Sequence, residues 1–216
     1  MKRIVLSVGV LALLGGPLVE HSLSARAPQV GDGAAADVHG GSISFEGATN
    51  VFATTVRGES SALDGSAIVR ESAQGLQLEQ IEAILPVASL RTGLKVRDEH
   101  MRQYIFQTAD GQTPDLRFSA ERAECSANGS TRAALCVATG TLAIRGIVRP
   151  FSMTFKVSKD NDRFRVSGEG KVALSTYGIE RPSQFGVKTE DEVKLHLDVT
   201  ARSGAKAVAT AGSREE

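Results

Sequence analysis

The stretch Ser42-Ile43-Ser44-Phe45-Glu46 decides the architecture, because its apolar and polar residues alternate strictly. A period of two puts Ile43 and Phe45 on one side of an extended chain and Ser42, Ser44 and Glu46 on the other. The same kind of segment recurs outward from this point, at 53–58, 66–69 and 76–85, each bounded by Gly, Asn, Asp or Ser. Further on come 116–124, 136–145, 150–158, 163–175 and 191–201. Eight or more strands at hairpin spacing predict an all-β chain, an antiparallel sandwich or barrel.

One stretch departs from this period. Val87–Phe106, VASLRTGLKVRDEHMRQYIF, places Leu90, Leu94, Met101 and Ile105 at helical intervals, with Asp98 and Glu99 suited to a helix start. A short helical excursion within an otherwise all-β chain is therefore expected.

Composition excludes two broad classes. The 216 residues carry 25 Lys+Arg and 25 Asp+Glu, a formal net charge of zero, so the basic excess of a nucleic-acid binder is missing. With 41% hydrophobic residues the chain is too apolar for a disordered one. Aromatic content is 5% with no Trp, so the core falls to aliphatics, Ala and eight Phe.

The amino terminus reads as an address. Met1-Lys2-Arg3 precedes an uncharged run from Ile4 to Val19, followed by small residues up to Ala27, the layout of a cleaved secretory signal over residues 1–27. The run falls short of the about 20 apolar residues a spanning helix needs, so no integral membrane span is expected after processing. Removal leaves twenty-two basic and twenty-four acidic residues in a periplasmic or secreted protein. A Gly/Ala-rich linker is expected over 28–41, one domain over 42–202 and a disordered tail over 203–216.

Export changes how Cys125 and Cys136 are read, since disulfides persist in oxidising compartments. Asn128-Gly129 between them signals a turn, and with Ser130 also fits a glycosylation sequon. The two cysteines thus flank a hairpin loop, either stapled by a disulfide worth about 3 kcal/mol or left as free thiols. Their spacing suits neither a redox nor a zinc motif.

Signs of catalysis are few. Metalloprotease, phosphate-loop and nucleophile-elbow sequences do not occur, and His39, His100 and His196 are scattered. His196 alternates with Leu195 and Leu197 and is expected on the opposite face. Gly31-Asp32-Gly33 follows no strand and reads as linker. Arg97-Asp98-Glu99-His100, with Arg91 and Lys95 upstream, is the densest polar cluster. It serves either acid–base chemistry or the capping and solvation of the helical excursion, with Arg and Asp pairing locally. No metal site and no cofactor are expected.

Arg91-Thr92-Gly93 and Arg97-Asp98-Glu99-His100-Met101, followed by Pro114-Asp115-Leu116-Arg117-Phe118, resemble the helical segment and next strand of the YceI-like, lipid- or polyisoprenoid-binding family. Gly140-Thr141-Leu142-Ala143-Ile144-Arg145-Gly146-Ile147-Val148-Arg149-Pro150 is similar to a second family motif. The run Tyr177-Gly178-Ile179-Glu180-Arg181, Phe185-Gly186 and Asp191-Glu192-Val193 resembles its closing segment. The three occur in order between Ser42 and Ala201. The chain departs from the pattern at Gln184, where Asp is usual, and at Arg145, where His is frequent.

The resemblance implies an eight-stranded antiparallel lipocalin-like barrel that carries a polyisoprenoid, quinone-type or similar amphiphilic lipid and catalyses nothing. The residues able to line its lumen are Phe45, Phe52, Leu94, Met101, Ile105, Phe106, Phe118, Leu142, Ile144, Phe155, Leu174 and Phe185. Each could equally be ordinary core, since alternation assigns faces without saying which is inside. The other reading is a barrel filled by its own side chains, acting as a stress-associated structural or protein-interaction module. A homodimer through a barrel edge is left open.

Overall fold

Ten strands form in the computed structural model, which describes residues 33–204 apart from 53, 131 and 185. The expected signal segment, the start of the linker, the tail beyond 204 and Phe185 lie outside the described residues. The strands are β1 (Ala34–Thr49), β2 (Thr55–Ser60), β3 (Asp64–Ser72), β4 (Gly75–Leu85), β5 (Leu116–Ser130), β6 (Ala133–Ile144), β7 (Ile147–Asp160), β8 (Arg163–Ala173), β9 (Ser183–Gln184) and β10 (Val187–Ser203).

Consecutive antiparallel pairing runs β1-β3-β4-β5-β6-β7-β8-β10, and β1 also pairs β10. This closes an eight-stranded barrel. β2 and β3 both lie antiparallel to β1 in one continuous register, Ser60 opposite Ile43 and Ala67 opposite Ala36. They are one strand interrupted at residues 61–63. The two-residue β9 pairs only with β10.

Alternation sets the faces. Along β6, Ala134, Cys136, Ala138, Leu142 and Ile144 are buried, while Leu135 and Val137 point outward. β7 and β8 contribute Phe151, Phe155, Val157, Phe164, Val172 and Leu174, the last just beyond β8. Gly168 and Gly170 of β8 make room for the rings from β7. A Cβ on Gly168 would lie 2.6 Å from the Phe155 Cβ, and one on Gly170 2.8 Å from the Phe151 ring.

β1 begins at Ala34, not at the Ser42 boundary expected from the Gly/Ala-rich composition. Ala36 is buried and Val38 faces the interior, but so do Ile43 and Phe45, an odd-numbered set. A slip in the pairing with β10 between Val38 and Gly40 reconciles the two parities. Gly41 carries the bend at φ 114°, and a Cβ there would lie 2.2 Å from the Asp198 carbonyl oxygen. The glycines that look like a linker are a β-bulge.

Cys125 and Cys136 are direct partners across β5 and β6 and form a disulfide. Cys136 has no exposure at all, so the bridge belongs to the interior face beside Ala134 and Ala138.

The helical excursion connects β4 to β5. It comprises a 3₁₀ turn (Val87–Ser89), α1 (Lys95–Met101) and a π-turn (Arg102–Phe106) that continues the same helix. Between turn and helix, Glu59 of β2 and Arg91 exchange both backbone hydrogen bonds, 2.8 and 2.9 Å. The excursion thereby lies against the end of the barrel where the β1–β2, β6–β7 and β8–β10 connections also meet.

Candidate functional site

The barrel interior has two tiers. At the end formed by the β3–β4, β5–β6 and β7–β8 turns, Ala36, Val69, Leu78, Ala138, Phe155 and Phe164 pack together with the disulfide. At the opposite end a second cluster joins Leu85, Met101, Phe106, Leu142, Ile144, Phe151, Leu174 and Tyr177 beneath the helical cap.

Between and above these tiers lies a cavity of about 1300 Å³. Small-molecule pockets usually measure about 300–1,000 Å³, so this one suits a long ligand. It opens at the capped end, where its lining residues Thr54, Thr55, Tyr104, Glu180 and Arg181 are exposed. Near the packed end it is bounded by buried Val69, Leu78, Phe155, Val157 and Phe164. Ser66 and Glu82, at the irregularity between β3 and β4, also reach it.

Nine of the twelve residues expected in the lumen line this cavity: Phe45, Met101, Ile105, Phe106, Phe118, Leu142, Ile144, Phe155 and Leu174. Phe118 and Phe151 meet edge to face, centroids 5.7 Å apart. Two stand elsewhere. Phe52 is 98% exposed in the β1–β2 connection, which closes on itself through Thr49 and Thr54 and so takes the ring out of the alternation. Leu94 is 59% exposed because it is the N-cap of α1 in an extended conformation, outside the helical register that its spacing from Met101 suggests. The twelfth, Phe185, is outside the described residues.

The helix turns a different face inward. Arg97, His100, Met101, Tyr104 and Ile105 line the cavity, at the intervals of three and four that define one helical stripe. Its polar members sit toward the mouth, joined there by Arg145 and Arg181 from other connections. Sequence reading singled out Arg97 and His100 as part of a polar cluster but did not join them with Arg145 and Arg181, nor read the inward stripe 97, 100, 101, 104 and 105. Arg97 donates through Nη2 to the Thr92 carbonyl oxygen at 2.6 Å, while its Nε is buried without a hydrogen-bond partner.

The charged cluster is divided between two roles. Asp98 is 5% exposed and is bound by Thr92, with no Arg97–Asp98 ion pair among the described residues. Burial pushes the Asp98 pKa up, but the Thr92 hydroxyl and amide outweigh it, aided by Arg102 and Arg91, and the carboxyl is held below its ordinary value. Tyr177 donates to the Leu142 carbonyl oxygen at 3.3 Å, and burial raises its phenol pKa.

The buried Ser60 hydroxyl lies 2.6 Å from that of half-buried Ser89, and Ser89 bonds the Pro86 carbonyl oxygen, which uses the pair structurally. His196 lies on the outer face of β10, 3.6 Å from Glu169. Among the described residues there is no cluster of three His, Cys, Asp or Glu placed for a metal. No helix among them is long and apolar enough to cross a membrane. The arrangement is that of an enclosure with apolar walls and a polar, cation-bearing mouth.

Residues 35–201 match the profile of the YceI-like domain family. Among solved structures, the chain is similar to BcnA of Burkholderia cenocepacia, with TM-score 0.54 and 16% identity over 74% of this chain and 94% of that one. A polyisoprenoid binding domain from Saccharophagus degradans, implicated in plant cell wall breakdown, gives TM-score 0.56 and 13% identity over 79% and 99%. The Campylobacter jejuni YceI protein gives TM-score 0.54 and 21% identity over 72% and 90%. Identities this low establish a shared fold. No curated protein matches the chain.

Proposed function

The chain belongs to the YceI-like domain family, and from that premise we propose that it is an exported carrier of a polyisoprenoid or similar amphiphilic lipid, quinone-type lipids included. The supporting observation is the cavity of about 1300 Å³, walled by apolar side chains from most of the strands and from the helical cap. Apolar chain transferred from water into such walls gains about 25 cal/mol per Å² buried, so a long tail is held without any directional contact. The head group stays at the mouth, within reach of Arg97, His100, Arg145 and Arg181.

Carriage requires no bond to be made or broken. A barrel filled by its own side chains, working only as an interaction module, would leave little room in its centre. The signal-like amino terminus and the disulfide both favour a periplasmic or secreted location.

Native mass spectrometry and organic extraction of protein purified from its own host test the proposal. A co-purifying lipid with an isoprenoid tail is expected. Protein that carries none, and that fails to take up a fluorescent prenol from solution, would overturn it.

A further inference from the structure

A water-insoluble ligand has to enter a carrier from somewhere, and the exposed apolar side chains are concentrated at one place. Of eight large hydrophobic residues exposed among the described ones, six lie at the mouth end: Val51, Phe52, Leu94, Val96, Tyr104 and Val148. They come from three separate connections, β1–β2, the helical cap and the start of β7. The other two, Leu135 and Val137, sit together on the outer face of β6.

Phe52 is the extreme case, 98% exposed at a tip that is nonetheless anchored. Asn50 accepts from the Lys188 amide at 2.7 Å, donates to the Gly186 carbonyl oxygen at 3.3 Å, and through its own amide bonds the Lys188 carbonyl oxygen at 2.9 Å. A fixed loop that holds an aromatic ring in water is built for a partner that covers it. Basic residues accompany the apolar ones. Arg91, Lys95 and Arg102 belong to the cap and Arg149 follows Val148, whereas Glu99 is the exposed acid within the cap helix. Glu59, Asp110, Glu180 and Glu190 stand elsewhere on the same end.

We infer that this rim is a membrane-docking face, on which Phe52, Leu94, Val96 and Tyr104 enter the interface of an anionic phospholipid bilayer while the cap cations meet its head groups. The inference rests on the lipid-carrier reading, because the same rim encloses the cavity mouth. Docking there would let a lipid tail pass from bilayer to cavity without crossing water. Apolar insertion and attraction to anionic lipid act together in such binding.

Flotation with phosphatidylcholine vesicles, with and without phosphatidylglycerol, tests the assignment on the full mature chain. The wild type is expected to float with the anionic vesicles, and a Phe52→Asp, Val96→Asp variant to bind them at least about tenfold more weakly. Both side chains are exposed, so the variant should keep its thermal stability and its uptake of a soluble fluorescent prenol. Wild-type protein that takes up the prenol but ignores the vesicles would overturn the docking face. So would equal vesicle binding by the variant, or a wild-type dimer that the variant converts to monomer, since a second copy would then cover the rim. Wild type that floats but takes up no prenol would refute the carrier reading and leave docking in place.

Discussion

Asp98 accepts two hydrogen bonds through one carboxylate oxygen, from the Thr92 amide at 2.7 Å and the Thr92 hydroxyl at 2.5 Å. The contact ties the Thr92–Leu94 bend to α1, the helix whose Arg97 and His100 line the cavity. Asp98→Asn should therefore lower stability by about 1–3 kcal/mol. Because the folded carboxyl titrates below its unfolded value near 3.9, its contribution is complete above that pH and disappears as pH falls through the folded value. Thermal melts from pH 2 to pH 7 should show the acid-side loss of stability in the wild type and a flatter profile in the variant.

Leu142 and Ile144 face the cavity from β6, where an indole has space to enter. Leu142→Trp and Ile144→Trp should fold with a loss of no more than about 1–3 kcal/mol and block lipid uptake. Prenol binding measured beside circular dichroism checks this. Unchanged uptake in both variants would show that the ligand does not occupy the space near these residues.

The Cys125–Cys136 bridge closes the β5–β6 hairpin across an eleven-residue separation. Chain entropy makes it worth about 3 kcal/mol. Denaturant unfolding of Cys125→Ala, Cys136→Ala should show a loss of that order. Cys125→Ala, Cys136→Ser should lose more, because the hydroxyl would sit at a fully buried site beside Ala134 and Ala138.

Gly41→Ala and Gly168→Ala test two of the close approaches in the barrel wall. Both would meet backbone, but the first combines a positive φ with the closer contact, 2.2 Å against 2.8 Å, so it should cost more than the second. Losses above about 1 kcal/mol are expected in each, read from the midpoint of urea unfolding. A neutral Gly41→Ala would mean that the bulge is not needed to bring both ends of β1 onto the inner face.

The strands were legible because the barrel has one wet face and one dry one, so that Ile43, Phe45, Leu142 and Ile144 had to alternate with polar neighbours. Residues 34–41 were not, since a bulge resets the period at the place where Gly40 and Gly41 resemble a linker. The cavity wall was legible wherever a residue lay on a strand. It failed at Phe52 and Leu94, where a closed turn and a helix cap remove the side chain from any periodic face. Arg97 stood out in a polar cluster, but its meeting with Arg145 and Arg181 was not legible, because the three come from separate connections that only closure of the barrel brings together.

The interruption between β2 and β3 has a mechanical consequence. Near the packed end, each strand is laced to two neighbours by a ladder. At the mouth, the outer edge of β2 is tied to the next segment by the paired amides and carbonyls of Glu59 and Arg91 and by the Ser60–Ser89 hydroxyl bond. The barrel is thus stiff at its base and compliant at its collar. Widening the collar costs two backbone bonds and one hydroxyl bond instead of a whole ladder, and the amides of Glu59 and Arg91 should exchange with deuterium well before those of β6 and β7.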